Sequence, residues 1–312
     1  MSRYEFDLLE QMASEPAQLE STIDYVQKHL EKFISRKDRV MICFPADREN
    51  SIGRIMERAV ARIGASSLIW GPDYLWKSLL RQTFMNKTSV IIGPPLVILG
   101  LSKIARFSMT PLFIRHVITA GYPCMDWMIQ AIEKEMDCQS WGCFGPGTGP
   151  LITGFSCEKS SGVHIRDDVY RIEIVDEQGN VLPEGEIGEV VVSSRSVPET
   201  RFHSMERGRI LTKSCSCGCS FPRLVDLAAG KYVDPSLRGL GVELQSWASV
   251  LDCRLEKTIN GLEIELIVFP GEKRPKLPSC ARLIVRNWDP ERDKPFSPSQ
   301  QWKNDGVYED YY

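Results

Sequence analysis

The chain has 312 residues, 43% of them hydrophobic, and a formal net charge of −3. That is enough apolar material for one large domain or two, with no global attraction to nucleic acid or anionic lipid. Ten cysteines at irregular spacing do not read as a secreted disulfide framework. The charged start Met1-Ser-Arg-Tyr-Glu-Phe-Asp7 has no signal-peptide core, and no apolar run nears the roughly 20 residues that cross a bilayer. Composition therefore points to a soluble, cytoplasmic protein.

In chain order, residues 17–35 read as an amphipathic helix and Val40-Met-Ile-Cys-Phe44 as a short buried strand stopped by Pro45. Asn50 or Ser51 caps a helix with apolar face Ile52, Ile55, Met56, Ala59, Val60 and Ile63, ended by Gly64. Strand Ser67–Trp70, a helix over 73–84, strand Ser89–Ile92 before Gly93-Pro94-Pro95, and a helix over 96–105 follow. Strand Arg115–Thr119, a helix over 124–136 and strand Gln139–Cys143 complete the series. Strands alternating with helices predict an α/β fold, a parallel sheet with crossover helices. Ligands on such sheets sit outside the carboxyl ends of the strands. That rim comprises Gly93-Pro94, Ala120-Gly121-Tyr122-Pro123 and Phe144-Gly-Pro-Gly-Thr148.

From residue 165 the period changes to two. Tyr170–Val175 and Gly188–Ser193 alternate or run β-branched, with turn signals at Asp176–Asn180 and Pro183–Gly185. A small antiparallel β layer is expected after the parallel sheet. Beyond Gly239 a helix near 242–250 and strands Leu262–Phe269 and Ala281–Arg286 predict a small α+β C-terminal appendage. The residues from Asp289 on are polar and loosely held by composition. The division is a core domain over 1–238, its β layer at about 155–225, and a C-terminal domain and tail over 239–312.

Thiols and one imidazole stand at two of the turns. Cys157 and His164 flank Glu-Lys-Ser-Ser-Gly-Val, and Cys215-Ser-Cys217-Gly-Cys219 follows farther on. Thiolates and imidazole are the ligands of a tetrahedral zinc site, and two knuckles closing on one ion is its usual structural form. The alternative is ordinary buried thiols, since free cysteine behaves as a small hydrophobe; the polar Lys213–Gly218 setting does not look like core.

Five blocks carry a family resemblance. Ala120-Gly121-Tyr122-Pro123, Phe144-Gly145, Phe155-Ser-Cys157 through Gly162-Val-His164-Ile, Val175-Asp through Leu182-Pro-Glu-Gly-Glu-Ile-Gly-Glu-Val190, and Cys215-Ser-Cys217-Gly through Pro222-Arg223 occur in order. Together they resemble the phenylacetate-CoA ligase branch of the adenylate-forming enzymes, well over 112–240, fairly over 38–111 and weakly after 240. The resemblance implies a structural zinc on Cys157, His164, Cys215 and Cys217, with Cys219 a spare. It also places adenine and the acyl group at the rim of Gly93, Ala120, Gly121, Tyr122, Phe144 and Gly145.

Against ordinary catalysis, the Ser/Thr/Gly-rich loop that wraps ATP phosphates in that family is not found. The family's aromatic-Gly-x-Thr/Ser-Glu reads Phe144-Gly145-Pro146-Gly147-Thr148, without the magnesium glutamate. Its Thr-Gly-Asp, whose aspartate holds the ribose, corresponds to Arg207-Gly208-Arg209, which inverts charge and hydrogen-bond direction. The arginine before the hinge corresponds to Lys231, near Asp234, and neither Lys294 nor Lys303 has the context of the adenylating lysine. Other residues read as structural: His116 as a core histidine, His203 as surface or rim, Cys124 as an unassisted thiol, and Trp70, Trp76, Trp127 and Trp141 as packing. Gly145, Gly147 and Gly149 form a turn, not a dinucleotide fingerprint. The expected function is a zinc-stabilised, non-ligating relative that binds an acyl or aryl small molecule or a partner, either a second copy or a ligase-family subunit. Nucleic acid and membrane are not expected partners. The alternatives are an acyl-transfer enzyme and a split ligase whose phosphate loop comes from another chain.

Overall fold

The structure is a computed structural model that describes residues 11, 14–71, 75–121, 126–145, 152–158, 160–196, 201–229, 235–258, 261–273, 281–295 and 302–304. Helix α1 (Pro16–Leu30) precedes β1 (Arg39–Ile42), α2 (Ile52–Ile63), β2 (Ser66–Ile69), α3 (Trp76–Met85) and β3 (Val90–Gly93). Helix α4 (Pro95–Phe107), β4 (His116–Thr119), α5 (Asp126–Met136) and β5 (Gln139–Phe144) follow. The five strands pair in parallel in the order β2-β1-β3-β4-β5. Alternation along the strands explains the layers. Val40, Ile42, Val90, Ile92 and Ile118 face a core under α1 and α2, while Met41, Ile91 and Val117 face a second core under α3, α4 and α5. Gly64 ends α2 in the left-handed conformation, at φ 86°. Ser51 precedes α2 without a side-chain cap; its hydroxyl donates to the Arg48 carbonyl instead.

The antiparallel part comprises β6 (Gly154–Cys157), β7 (Ser160–Ile165), β8 (Tyr170–Val175), β9 (Gly188–Ser194), β10 (Phe202–Leu211) and β11 (Arg223–Ala229). Strand β5 is shared: parallel to β4, it pairs antiparallel with β6, so these strands extend the same hydrogen-bonded series as β6-β7-β11-β10-β9-β8. Its own core holds Phe144, Val163, Ile165, Tyr170, Ile174, Val190 and Val192.

The C-terminal part is α6 (Pro235–Ser246), β12 (Val250–Thr258), β13 (Gly261–Val268), β14 (Ala281–Asn287) and β15 (Trp302–Asn304), in sheet order β14-β13-β12-β15. The helix expected near 242–250 ends at Ser246 and begins earlier, at Pro235; β12 is a strand not expected from the sequence, and β15 lies in the tail expected to be loose. Leu251, Ile267 and Phe269 join the core beneath α4, with the Phe107 and Phe269 rings stacked at 4.5 Å. Buried Lys103 on α4 donates to the carbonyls of Gln245 (2.6 Å) and Val250 (2.7 Å). Burial pushes its pKa down to about 8.

Candidate metal centre and sheet rim

Two glycines shape the site. Gly162 sits on β7 at φ +86°, where a Cβ would lie 2.4 Å from the Leu224 carbonyl oxygen, so only glycine lets β7 pair this closely with β11. Gly218, at φ +85°, turns the chain between Cys217 and Cys219, and its N–H donates to the Cys215 carbonyl at 3.1 Å. The β6–β7 hairpin then presents Cys157 and His164, while the loop joining β10 to β11 presents Cys215 and Cys217. The β7–β11 pairing, with His164 opposite Arg223, brings the two turns together.

The four ligand atoms all lie within 4.8 Å of one another. The sulfurs of Cys157 and Cys215 are 3.6 Å apart, and Cys217 Sγ is 3.3 Å from His164 Nε2. A tetrahedral ion with metal–sulfur bonds of about 2.3 Å needs sulfur–sulfur edges of about 3.8 Å and slightly shorter sulfur–nitrogen edges. These two approaches match such edges, and the 4.8 Å bound on the whole set leaves it slightly wider than a closed tetrahedron. His164 Nδ1 lies 3.1 Å from the Phe221 carbonyl; donating there leaves the Nε2 lone pair for the cluster. Burial opposes charge on this imidazole, but the Phe221 carbonyl and the sulfurs of Cys157 and Cys215 outweigh it and hold its pKa above the usual value. Surroundings that favour a proton there favour a metal cation too. Cys219 stays outside the group and donates its backbone N–H to Cys217 Sγ at 3.4 Å. Sequence reading missed Phe221, because a backbone acceptor leaves no residue-type signal. It also missed a cavity of about 210 Å³ beside the cluster, lined by His29, Phe33, Trp141, Phe155, Cys157 and Cys217.

The rim residues cluster at the carboxyl ends of β3, β4 and β5. The Ala120 N–H donates to the Gly93 carbonyl at 3.1 Å. A Cβ on Gly93 would lie 2.8 Å from Cys43 Cβ, and one on Gly121 would lie 2.9 Å from the Phe44 ring. Ala120 is buried, and Gly121 and Gly145 are half-buried. Phe144 is only 4% exposed and packs into the antiparallel core. Tyr122, Cys124, Gly147, Thr148, Gly149, Lys231 and Asp234 lie outside the described residues. His116 is half-buried and accepts from Trp141 Nε1 at 3.4 Å, while His203 lies 3.1 Å from Glu189. Arg209 sits at a β10 bulge and pairs with Asp226 on β11, itself at φ 54°.

No family model and no curated protein matches the sequence. Solved structures do. A 2-hydroxyisobutyryl-CoA ligase in the postadenylation state with 2-HIB-AMP matches at TM-score 0.68 and 15% identity, over 95% of this chain and 70% of that one. An open form of that ligase, with 2-HIB-AMP and CoA, matches at 0.61 and 16%, over 81% and 60%. A benzoate CoA ligase from Burkholderia xenovorans LB400 matches at 0.56 and 15%, over 91% and 64%. The chain therefore has the fold of the acyl- and aryl-CoA ligases of the adenylate-forming superfamily, and spans 60% of the open form's length. No helix among the described residues is long and apolar enough to cross a membrane.

Proposed function

We propose that this chain is a relative of the acyl- and aryl-CoA ligases that has lost ATP-dependent ligation and works as a zinc-stapled binding protein. Arg209 carries the reading. Ribose hydroxyls donate hydrogen bonds to a carboxylate, whereas a guanidinium has five donors and no acceptor. Where the resemblance puts that carboxylate, Arg209 is tied to Asp226 across the bulge. Thr148 likewise stands in the sequence where a glutamate would hold magnesium. The zinc would be held by Cys157, His164, Cys215 and Cys217, a closed set without an open position, and would supply folding energy rather than chemistry. No disulfide joins the described cysteines, which suits a reducing, cytoplasmic setting.

The occupant proposed for the rim is an acyl or aryl group, or a partner surface from a second copy or a ligase-family subunit. The neighbour holding 2-HIB-AMP and CoA favours a second reading, in which the chain handles a preformed acyl group or borrows a phosphate loop from another chain. Titration with magnesium-ATP and pyrophosphate exchange over a panel of acyl and aryl acids test the choice. The expected result is no binding in the sub-millimolar range usual for substrates and exchange at background. Exchange by the isolated chain would overturn the loss of ligation; exchange only with an added ligase-family subunit would establish the split enzyme. Because Phe144 belongs to the core, Tyr122→Ala is the cleaner rim probe. Lost self-association with no acid or acyl-CoA bound by the native protein would identify the rim as an interface.

A further inference from the structure

Arg166 follows β7 and is 4% exposed, yet two of its three guanidinium nitrogens have no hydrogen-bond partner. Nη2 donates to Ser21 Oγ on α1 at 3.1 Å, and the guanidinium carbon lies 4.5 Å from the centre of the Tyr25 ring. The nearest carboxylate oxygen to Nε is on Asp168, 3.9 Å away, and that side chain is 55% exposed. Two further buried polar atoms nearby lack a close partner: Gln18 Nε2, on the first turn of α1, and the hydroxyl of Tyr170, which is 2% exposed. Burial pushes the Tyr170 pKa up, while the Arg166 charge and a long side-chain hydrogen bond from Gln18 pull it down, so these two groups face each other and leave one amide N–H and the phenol O–H to donate.

These groups are almost all donors: two guanidinium nitrogens, an amide N–H and a phenol. Buried donors in folded proteins are nearly always satisfied, and the long ion pair to half-exposed Asp168 offsets only part of the cost of burying this cation. An acceptor bearing negative charge meets both demands at once, and a guanidinium suits a planar or tetrahedral oxoanion. Gln18 itself is half-buried. We propose that Arg166, Gln18, Tyr170 and Ser21 form a binding site for a small oxoanion, pinning α1 to the β7–β8 turn. None of these four residues belongs to the thiol cluster, although Arg166 lies two residues beyond His164.

Inorganic phosphate is the probe. Isothermal titration and thermal melts would compare phosphate with sodium chloride of equal ionic strength, for the native protein and for Arg166→Met, Gln18→Met and Tyr170→Phe. The expected result is saturable phosphate binding at millimolar Kd or tighter, weakened at least tenfold by Arg166→Met and several-fold by the milder two. General salting-out by phosphate raises every melting curve alike. Equal stabilisation of native protein and variants, or no saturable binding, would therefore overturn the site. Should Arg166→Met fail to fold, Gln18→Met and Tyr170→Phe decide the matter alone: unchanged phosphate affinity in both refutes the proposal.

Discussion

Replacing Cys157 by serine tests the proposed zinc staple at its most informative position. Cys157 and Cys215 are 58 residues apart, so an ion joining them closes a long loop. By the chain-entropy relation for cross-links, closing a loop of that length removes about 4 kcal/mol of unfolded-state freedom. This is a floor, because apparent binding energies of structural zinc reach about 10–16 kcal/mol when no site exists in the unfolded chain. A loss of about 4 kcal/mol corresponds to a melting temperature roughly 8–15 °C lower for a large domain. Scanning fluorimetry and elemental analysis would follow native protein, Cys157→Ser and Cys219→Ser, each with and without a strong chelator. Native protein should carry about one zinc per chain and lose its advantage on chelation, converging on Cys157→Ser. Cys219→Ser should melt like native protein, since that residue lies outside the cluster. A metal-free native protein indifferent to chelator, or a Cys157→Ser variant with unchanged zinc and melting, would refute the reasoning.

Burial raises the pKa of Glu206 on β10 to about 8, and its Oε2 has no partner. Between the unfolded value of 4.5 and about 8 the folded state holds a proton that the unfolded chain has released, so stability falls as pH rises through that window. Glu206→Gln should flatten this slope, leaving stability at pH 4 unchanged and raising it at pH 9 by at most about 5 kcal/mol, less to the extent that water reaches this half-buried side chain, measured by urea unfolding. At Gly100 on α4 an added Cβ would lie 2.2 Å from Trp76 Cη2; Gly100→Ala should cost roughly 1–3 kcal/mol in the same assay. Lys103→Met should leave the Gln245 and Val250 carbonyls unpaired, at about 1–3 kcal/mol each before the relief of no longer burying an ammonium. Amide exchange in α6 and β12 should rise about tenfold, with that of β1 and β3 unchanged.

Much of the architecture was legible because it rests on local periodicity. The run Val40–Phe44 alternates between two cores, and the face of α2 is spaced for one side, so neither needed tertiary information to be read. Strand β12 was harder. Leu244 to Leu251 mixes apolar and polar residues with no clear period across the end of α6 and the start of β12, and only pairing with β13 decides where helix gives way to strand. The tail after Asp289 is polar by composition, yet residues 302–304 pair with β12. Phe144 was expected at the ligand rim, but it is buried in the core of the antiparallel strands.

The three thiols and one imidazole of the candidate metal cluster were legible in the chain because residue type and turn glycines declare them locally. Their 3.3–3.6 Å approaches came only with the antiparallel pairing of β7 and β11, since a ligand set drawn from distant turns has no geometry until the strands are in register. Arg166 stands at the opposite extreme. In the sequence it is an ordinary basic residue after a strand, and its burial against Tyr25 and Ser21 depends on α1 packing across a chain separation of 145 residues. Residue chemistry is local and can be read from sequence, whereas desolvation and the lack of a partner are set by everything packed around a side chain.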